Sequence, residues 1–427
     1  MAQLSTTDIF NAEYAQLRDD ADPLKQFRNE FLIPQHQGKP VAYFCGNSLG
    51  LQPKQAEASI LQELNDWANL GVEGHTQARR PWVSYHEHLC EALAEITGSK
   101  TNEVVAMNAL TVNLHLLMAS FYRPSKTRFR ILCEAKAFPS DQYALQSQAE
   151  WHGFTPAQAI REIHPREGQH YLTHDDIIQA IREEGDQLAL VMIGGVNYYS
   201  GQVFDMEVIT REAHNVGAMA GFDLAHAIGN IQLKLHEWNV DFAAWCSYKY
   251  LNSGPGGTAG VFIHEKHATS AETFRLKGWW GHNKAERFKM GPDFEPIPTA
   301  ESWQMSNAPV LSMAVQIASL ELFRQAGMTN LLEKSKALTA YADQLLSGLM
   351  EQGPLAGAFE IITPKERGCQ LSLLFSRYGR AVFDHLTANG VIADWREPNV
   401  IRIAPVPLYN QFSDIYRLAS LLAQFPG

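Results

Sequence analysis

The chain has 427 residues, 45% apolar and 19% charged, with a formal net charge of −11 at pH 7. That is ample material for one large and one small domain, and the negative charge argues against nucleic acid or an anionic membrane as the main partner, because both would repel it. No apolar run of about 18 residues or more occurs, and Met1–Asp20 lacks a basic n-region followed by an apolar h-region, so a cytoplasmic protein with neither membrane nor nucleic-acid partners is expected.

Val41–Phe44 reads as a short apolar strand leading into the turn-rich Cys45–Gly50. Between Pro53 and Leu70, apolar residues at Ile60, Leu61, Leu64, Trp67 and Leu70 have helical spacing. Met107–Asn113 opens a helix over Leu114–Phe121. Short, almost wholly apolar strands follow at Arg130–Cys133, Leu188–Ile193, Ala218–Phe222, Phe242–Cys246 and Gly260–Ile263, separated by helices. Such strands imply a parallel or mixed sheet covered on both faces, with ligands beyond the carboxyl ends of its strands. From about Leu311 one long helical pattern runs toward Met350, followed by a strand at Gln370–Phe375, a helix at Ala381–Asn389 and a strand at Val400–Ile403. The expected organisation is an N-terminal segment (1–55) packing with the small domain, a large domain (56–310) and a small α+β domain (311–427). Neither repeats nor low-complexity tracts interrupt it.

The chemistry-bearing feature is Asp223-Leu-Ala-His226 and, 26 residues after Asp223, Lys249 within Ser247–Tyr250, ahead of the glycine cluster Gly254–Gly257. A pyridoxal phosphate (PLP) enzyme needs a lysine for its Schiff base and a carboxylate for the pyridinium nitrogen. Asp223 serves equally well as a helix N-cap. Lys249 has an apolar, aromatic surround unlike that of a solvated lysine, and burial favours the neutral amine that this chemistry requires. Thr111 is either a phosphate ligand at a helix N-terminus or, the reading its spacing favours, a plain N-cap. Phe138–Asp141 offers an aromatic face for stacking or a loop into a capped helix. Arg402, alone in an apolar strand, suits a substrate carboxylate or a structural ion pair. Trp279–His282 and Ser306-Asn307 read as loops lining a cleft. Five cysteines without a C-x-x-C pair are expected to be reduced thiols, and His86-Glu87-His88 lacks the helical i, i+4 spacing of a metal site, so no metal is expected.

Together, Tyr43–Gly50, Asn113–Leu117, Phe138–Asp141, Val196–Gln202, Asp223–Asn230, Ser247–Gly257, Gly278–His282 and Arg402–Tyr409 closely resemble the kynureninase family, fold-type-I PLP enzymes related to the aspartate aminotransferases. These stretches span nearly the whole chain. The resemblance implies an α/β fold, with a mostly parallel seven-stranded sheet flanked by helices and a small α+β domain, bound PLP, and a homodimer with shared active sites. It implies hydrolysis of L-kynurenine or 3-hydroxy-L-kynurenine to anthranilate or 3-hydroxyanthranilate and L-alanine, in tryptophan catabolism or NAD biosynthesis. By position, Lys249 matches the Schiff-base lysine and Asp223 the pyridinium partner. His226 and Tyr248 match residues around the cofactor ring and phosphate, and Tyr248 is also the candidate for proton transfer. Leu110 and Thr111 match the phosphate loop, and Phe138 the stacking aromatic, with Ser140 and Asp141 beside it. Trp279 and Asn307 match positions that reach the neighbouring subunit's cofactor. Arg402 matches the α-carboxylate clamp, Asn47 and Ser48 join the substrate-binding set, and His75, Ser306 and Asn307 fall to the aniline ring. Gly194 stands where family members often carry Ser or Thr. A cysteine desulfurase or aminotransferase of the same fold would share Asp223 and Lys249, the former needing a mobile nucleophile for which Cys369 is the candidate. A non-catalytic binding protein is disfavoured because the catalytic positions are filled.

Overall fold

Alternation of side chains along the central strands builds the two cores of the larger unit in this computed structural model, which describes residues 10–270 and 272–426. The part of the Met1–Asp20 reading that concerns residues 1–9 lies outside the described residues. The strands are β1 (Val104–Ala106), β2 (Arg130–Glu134), β3 (Ile160–Ile163), β4 (Leu188–Gly194), β5 (Met219–Asp223), β6 (Phe242–Trp245) and β7 (Gly260–Ile263), in the spatial order β1-β7-β6-β5-β4-β2-β3. Strands β6, β5, β4, β2 and β3 run parallel, while β7 is antiparallel to both of its neighbours. Leu132, Val191 and Ile193 point to one face, and Ile131, Cys133, Leu190 and Met192 to the other, so each face needs a helical cover. Helices α1 (Leu110–Phe121) and α2 (Pro139–Trp151) cover the second face through Leu114, Leu117, Met118, Phe121, Ala144 and Leu145. This is the α/β architecture expected from the sequence.

The smaller unit is an antiparallel sheet of β8 (Phe359–Ile361), β9 (Leu371–Phe375), β11 (Val400–Ile403) and β10 (Asp394–Arg396), ordered β8-β9-β11-β10. It packs against a 24-residue helix, α4 (Met328–Glu351), and against α5 (Phe412–Ala423). The single helix expected from Leu311 to Met350 is two, because Gly327, with φ +74°, ends α3 (Val310–Ala326) and turns the chain into α4. Met313, Leu320 and Phe323 of α3 sit in the core of the larger unit, not the smaller. The N-terminal segment divides likewise: Ala15, Ala42 and Phe44 join the small-unit core, while Leu24, Phe27, Phe31 and Leu51 join the large one.

The helix expected over Pro53–Leu70 forms over Gln55–Leu70, with an unexpected orientation. Its Ala56, Glu63 and Asp66 are buried, whereas Leu61, Leu64 and Trp67 are exposed. Glu63 is held inside by the Trp82 indole N–H and the Tyr85 hydroxyl, which donate to its carboxylate at 3.1 and 2.8 Å.

Candidate active site

The carboxyl ends of β2, β4 and β5 lie side by side and carry Glu134, Gly194 and Asp223. Gly194 is the register partner of Asp223, and the next amide, Gly195 N–H, donates to the Asp223 carbonyl at 2.7 Å. No helix follows Asp223. Its Oδ1 instead accepts from the Ala225 N–H at 2.7 Å, fixing a turn that returns His226 over the strand ends. The sheet edge, that turn and the start of α1 enclose a cavity of about 170 Å³.

Ten predicted cofactor residues line that cavity: Leu110, Thr111, Phe138, Ser140, Asp141, Gly194, Asp223, His226, Tyr248 and Lys249. Helix α1 starts at Leu110, four residues before the expected Leu114, with Ala109 at the N-cap and no side-chain cap. Thr111 therefore lies inside the first turn, which corrects the N-cap reading that its spacing favoured. An uncapped helix start leaves amide donors for an anion. Phe138 is the N-cap residue of α2, so Ser140 and Asp141 belong to that helix's first turn.

Lys249 Nζ lies 3.0 Å from His226 Nε2 and 5.8 Å from the centre of the Phe138 ring. Burial, then the charge of Lys249, hold His226 far below the usual imidazole range. A neutral imidazole that takes a hydrogen bond from the lysine amine accepts at Nε2 and carries its proton on Nδ1. That Nδ1 is buried and has no hydrogen-bond partner among the described residues. Burial, then the charge of Asp223 and a hydrogen bond shared with it, push Asp141 well above the ordinary carboxylate range. Burial likewise pushes the Tyr248 phenol up, with Cys246 and Asp223 adding to it, so Tyr248 holds its proton.

These features fit PLP: an amine, a carboxylate pair, an unpartnered imidazole nitrogen, a helix N-terminus and an aromatic face around one cavity. Leu110 and Thr111 would hold the phosphate, Phe138 the ring face, Asp223 the ring nitrogen and Lys249 the covalent link.

The remaining predicted residues lie elsewhere. Arg402 is fully buried, with Nη2 and Nε 2.6 and 2.7 Å from the same Asp394 oxygen and Nη1 donating to the Tyr198 carbonyl at 2.5 Å. Arg396 Nε reaches the same oxygen at 2.9 Å, so Asp394 bridges two guanidinium groups. Asn47 is buried and donates to Gln370 Oε1 at 2.9 Å, and Ser48 beside it is half-buried. Gln370 in turn donates to the Tyr198 carbonyl at 3.0 Å, so the small unit meets the cavity through Tyr198, which lines it. His75 and Asn307 are exposed and line a separate, largely apolar groove of about 520 Å³ with Trp67 and Trp82. Ser306 is exposed and donates to Asn307 Oδ1 at 3.0 Å. Trp279 is exposed, its indole N–H donating to the Arg287 carbonyl at 3.1 Å.

Sequence reasoning missed Glu134, Val196, Tyr198 and Ala225 in the cavity wall and Asp394 behind Arg402. Glu134 carries the same signal that marks Asp223, an acid closing an apolar strand, but the strand was ended at Cys133.

Two family models match the chain: Aminotransferase class-V over residues 42–355 and Kynureninase C-terminal domain over residues 331–422. A kynureninase of Flavobacterium psychrophilum is 55% identical over 413 residues, covering 96% of this chain and 97% of the relative. Those of Stenotrophomonas maltophilia and Nematostella vectensis are 48% and 46% identical, covering 99% of this chain and 100% and 95% of theirs. Among solved structures, a C-DES mutant with glycine covalently linked to the PLP-cofactor matches with a TM-score of 0.74 at 18% identity, over 90% of this chain and 97% of that one. The cysteine desulfurase from Thermococcus onnurineus NA1 matches with a TM-score of 0.73 at 17% identity, over 99% of each chain. At these identities the two structures speak for the fold alone.

Proposed function

The chain belongs to the kynureninase family, and from that premise we propose that it is a PLP-dependent hydrolase that cleaves the Cβ–Cγ bond of L-kynurenine, with water, to anthranilate and L-alanine. The observation that carries this reading is the single cavity in which Lys249, His226, Asp223 and Tyr248 meet the uncapped start of α1. PLP, when bound, supplies the electron sink for the charge left on the substrate when its bonds break. Lys249 would hold the group through Nζ, and the same Nζ would take the Cα proton of the substrate. His226 Nε2, at 3.0 Å, is the acceptor that holds that amine in place. Tyr248, kept protonated by burial, would relay the proton at the hydrated ketone: its hydroxyl would give a proton to Cβ as the Cβ–Cγ bond breaks and take up the one that the gem-diol hydroxyl releases.

Arg402 takes the substrate α-carboxylate, with Asn47 and Ser48 beside it. The Tyr198 carbonyl, which joins Arg402 to the cavity wall, supports this role. His75, Ser306 and Asn307 recognise the aniline ring from the neighbouring subunit of a homodimer, and Trp279 reaches that subunit's cofactor. The exposure of all four in the single chain supports a shared site. Their polar groups suit the 3-hydroxy substrate as well, in tryptophan catabolism or NAD biosynthesis in the cytoplasm. No helix among the described residues is long and apolar enough to cross a membrane. Comparing kcat/KM for kynurenine and 3-hydroxykynurenine tests the ring assignment. A strong preference for the unsubstituted ring would sink it, and release of alanine from neither substrate would sink the whole reading.

The desulfurase alternative loses its nucleophile. Cys369 is buried in the core, burial pushes its thiol up to about 12, and its amide is tied to Asn230 Oδ1 at 2.9 Å.

A further inference from the structure

Glu134 is 5% exposed and lines the same cavity as Asp223 and Lys249, yet the mechanism gives it no part. Both of its carboxyl oxygens reach one donor, the Gly194 N–H, at 3.3 and 3.4 Å. A Cβ at Gly194 would stand 3.2 Å from Oε1 and 3.4 Å from the Val196 carbonyl, so a side chain at 194 would press the carboxyl aside by a few tenths of an ångström. A carboxyl group offers about four acceptor positions, and the long contact shared with Gly194 and one to its own backbone amide leave others free. Glu134 also lines a second cavity of about 770 Å³ with Phe138 and Tyr198, which places it in the wall between the two spaces. Burial, reinforced by the charge of Asp223 and opposed by backbone hydrogen bonds, pushes this carboxyl up to about 7. It can therefore donate a hydrogen bond as well as accept one near neutrality.

We propose that Glu134 is a positioning residue for the cofactor: it supplies from β2 the polar contact beside Asp223 that Gly194, on β4, has no side chain to make. The inference rests on the PLP reading of the cavity and adds to it a residue outside the set matched by resemblance. It also gives a reason for the glycine, since a larger residue at 194 and the carboxyl compete for one space.

The test is the dissociation constant of PLP, with the circular dichroism of the bound cofactor, for holoprotein reconstituted from wild-type, Glu134→Ala, Gly194→Ser and the doubles Glu134→Ala/Gly194→Ser and Glu134→Ala/Gly194→Ala. Glu134→Ala should weaken binding about tenfold and reduce the dichroism, as expected for a lost buried hydrogen bond. Gly194→Ser alone should weaken it comparably, because its Cβ crowds the carboxyl. The Ser double should return to within about threefold of wild type, since its hydroxyl restores one hydrogen bond, while the Ala double should not. Wild-type affinity in Glu134→Ala, or equal rescue by Ala and Ser, overturns the proposal alone, the second result meaning that the carboxyl only fills space. If Glu134→Ala does not fold, Gly194→Ser carries the test, and wild-type affinity there overturns the proposal. A wild-type chain that binds no PLP overturns the cofactor reading and the proposal together.

Discussion

Lys249 Nζ and His226 Nε2 face each other at 3.0 Å across the strand ends, an amine opposite an imidazole that burial keeps neutral. The histidine serves as an acceptor that aims the amine without competing for its charge. Lys249→Ala should abolish the borohydride-sensitive absorbance of the reconstituted enzyme and cut kcat by about a thousandfold or more. An unchanged absorbance band would mean that another lysine carries the cofactor.

Asp223→Asn preserves shape and the contact with the Ala225 amide but removes the charge. With the ring nitrogen no longer held protonated, kcat should fall about a hundredfold or more while thermal stability changes little. Measuring kcat beside Tm checks this, and a matched loss of both would assign Asp223 a structural role.

Arg402→Lys keeps a cation in the strand but not the planar donor set. KM for kynurenine should rise at least about tenfold, with a smaller change in kcat. Arg402→Ala leaves the Asp394 carboxylate to Arg396 alone and empties a fully buried site, and should also destabilise the fold by about 1–3 kcal/mol. A KM that neither change moves would mean that Arg402 serves only its ion pair.

The apoprotein should show a pH dependence set by Glu134. An ordinary glutamate titrates near 4.5, and this one near 7, so between those values the folded state holds a proton that the unfolded chain has lost. Its contribution is complete below pH 4.5 and lost as pH rises through 7, with an upper bound of about 3 kcal/mol. Glu134→Gln should flatten that slope in a melting-temperature series over the same range. Parallel wild-type and variant slopes would refute the assignment.

A homodimer with shared sites should show complementation. Lys249→Ala subunits mixed with Trp279→Ala/Asn307→Ala subunits form hybrids in which one of the two sites is intact, so about a quarter of wild-type activity should return after random exchange. No recovery in a verified hybrid would place each site within one subunit.

That Asp223 and Lys249 meet in one cavity was legible because the signal is local: an acid at the end of an apolar run, and a lysine among aromatic residues. Glu134 was missed although it ends a run of the same kind, because an apolar pattern does not mark the residue at which a strand stops. The two edge strands were missed for different reasons. Val104–Ala106 is only three residues long, and Ile160–Ile163 places Arg161 and Glu162 between its apolar ends. The partner of Arg402 was beyond reach, since Asp394 meets it through the antiparallel pairing of β10 and β11. Period and composition report which faces of an element differ, but not what lies against each face. For Gln55–Leu70 the expected apolar face is the outward one, and the inward face is carried by a glutamate with two tethers.

That outward face has a consequence for handling the protein. Leu61, Leu64 and Trp67 form an apolar stripe on one helix, close to the groove lined by His75 and Asn307, which a lone subunit leaves in water. A dimer that covered it, as proposed above, would tie the subunit's persistence to the amount of protein present, so melting temperature should climb with concentration and losses should begin on dilution.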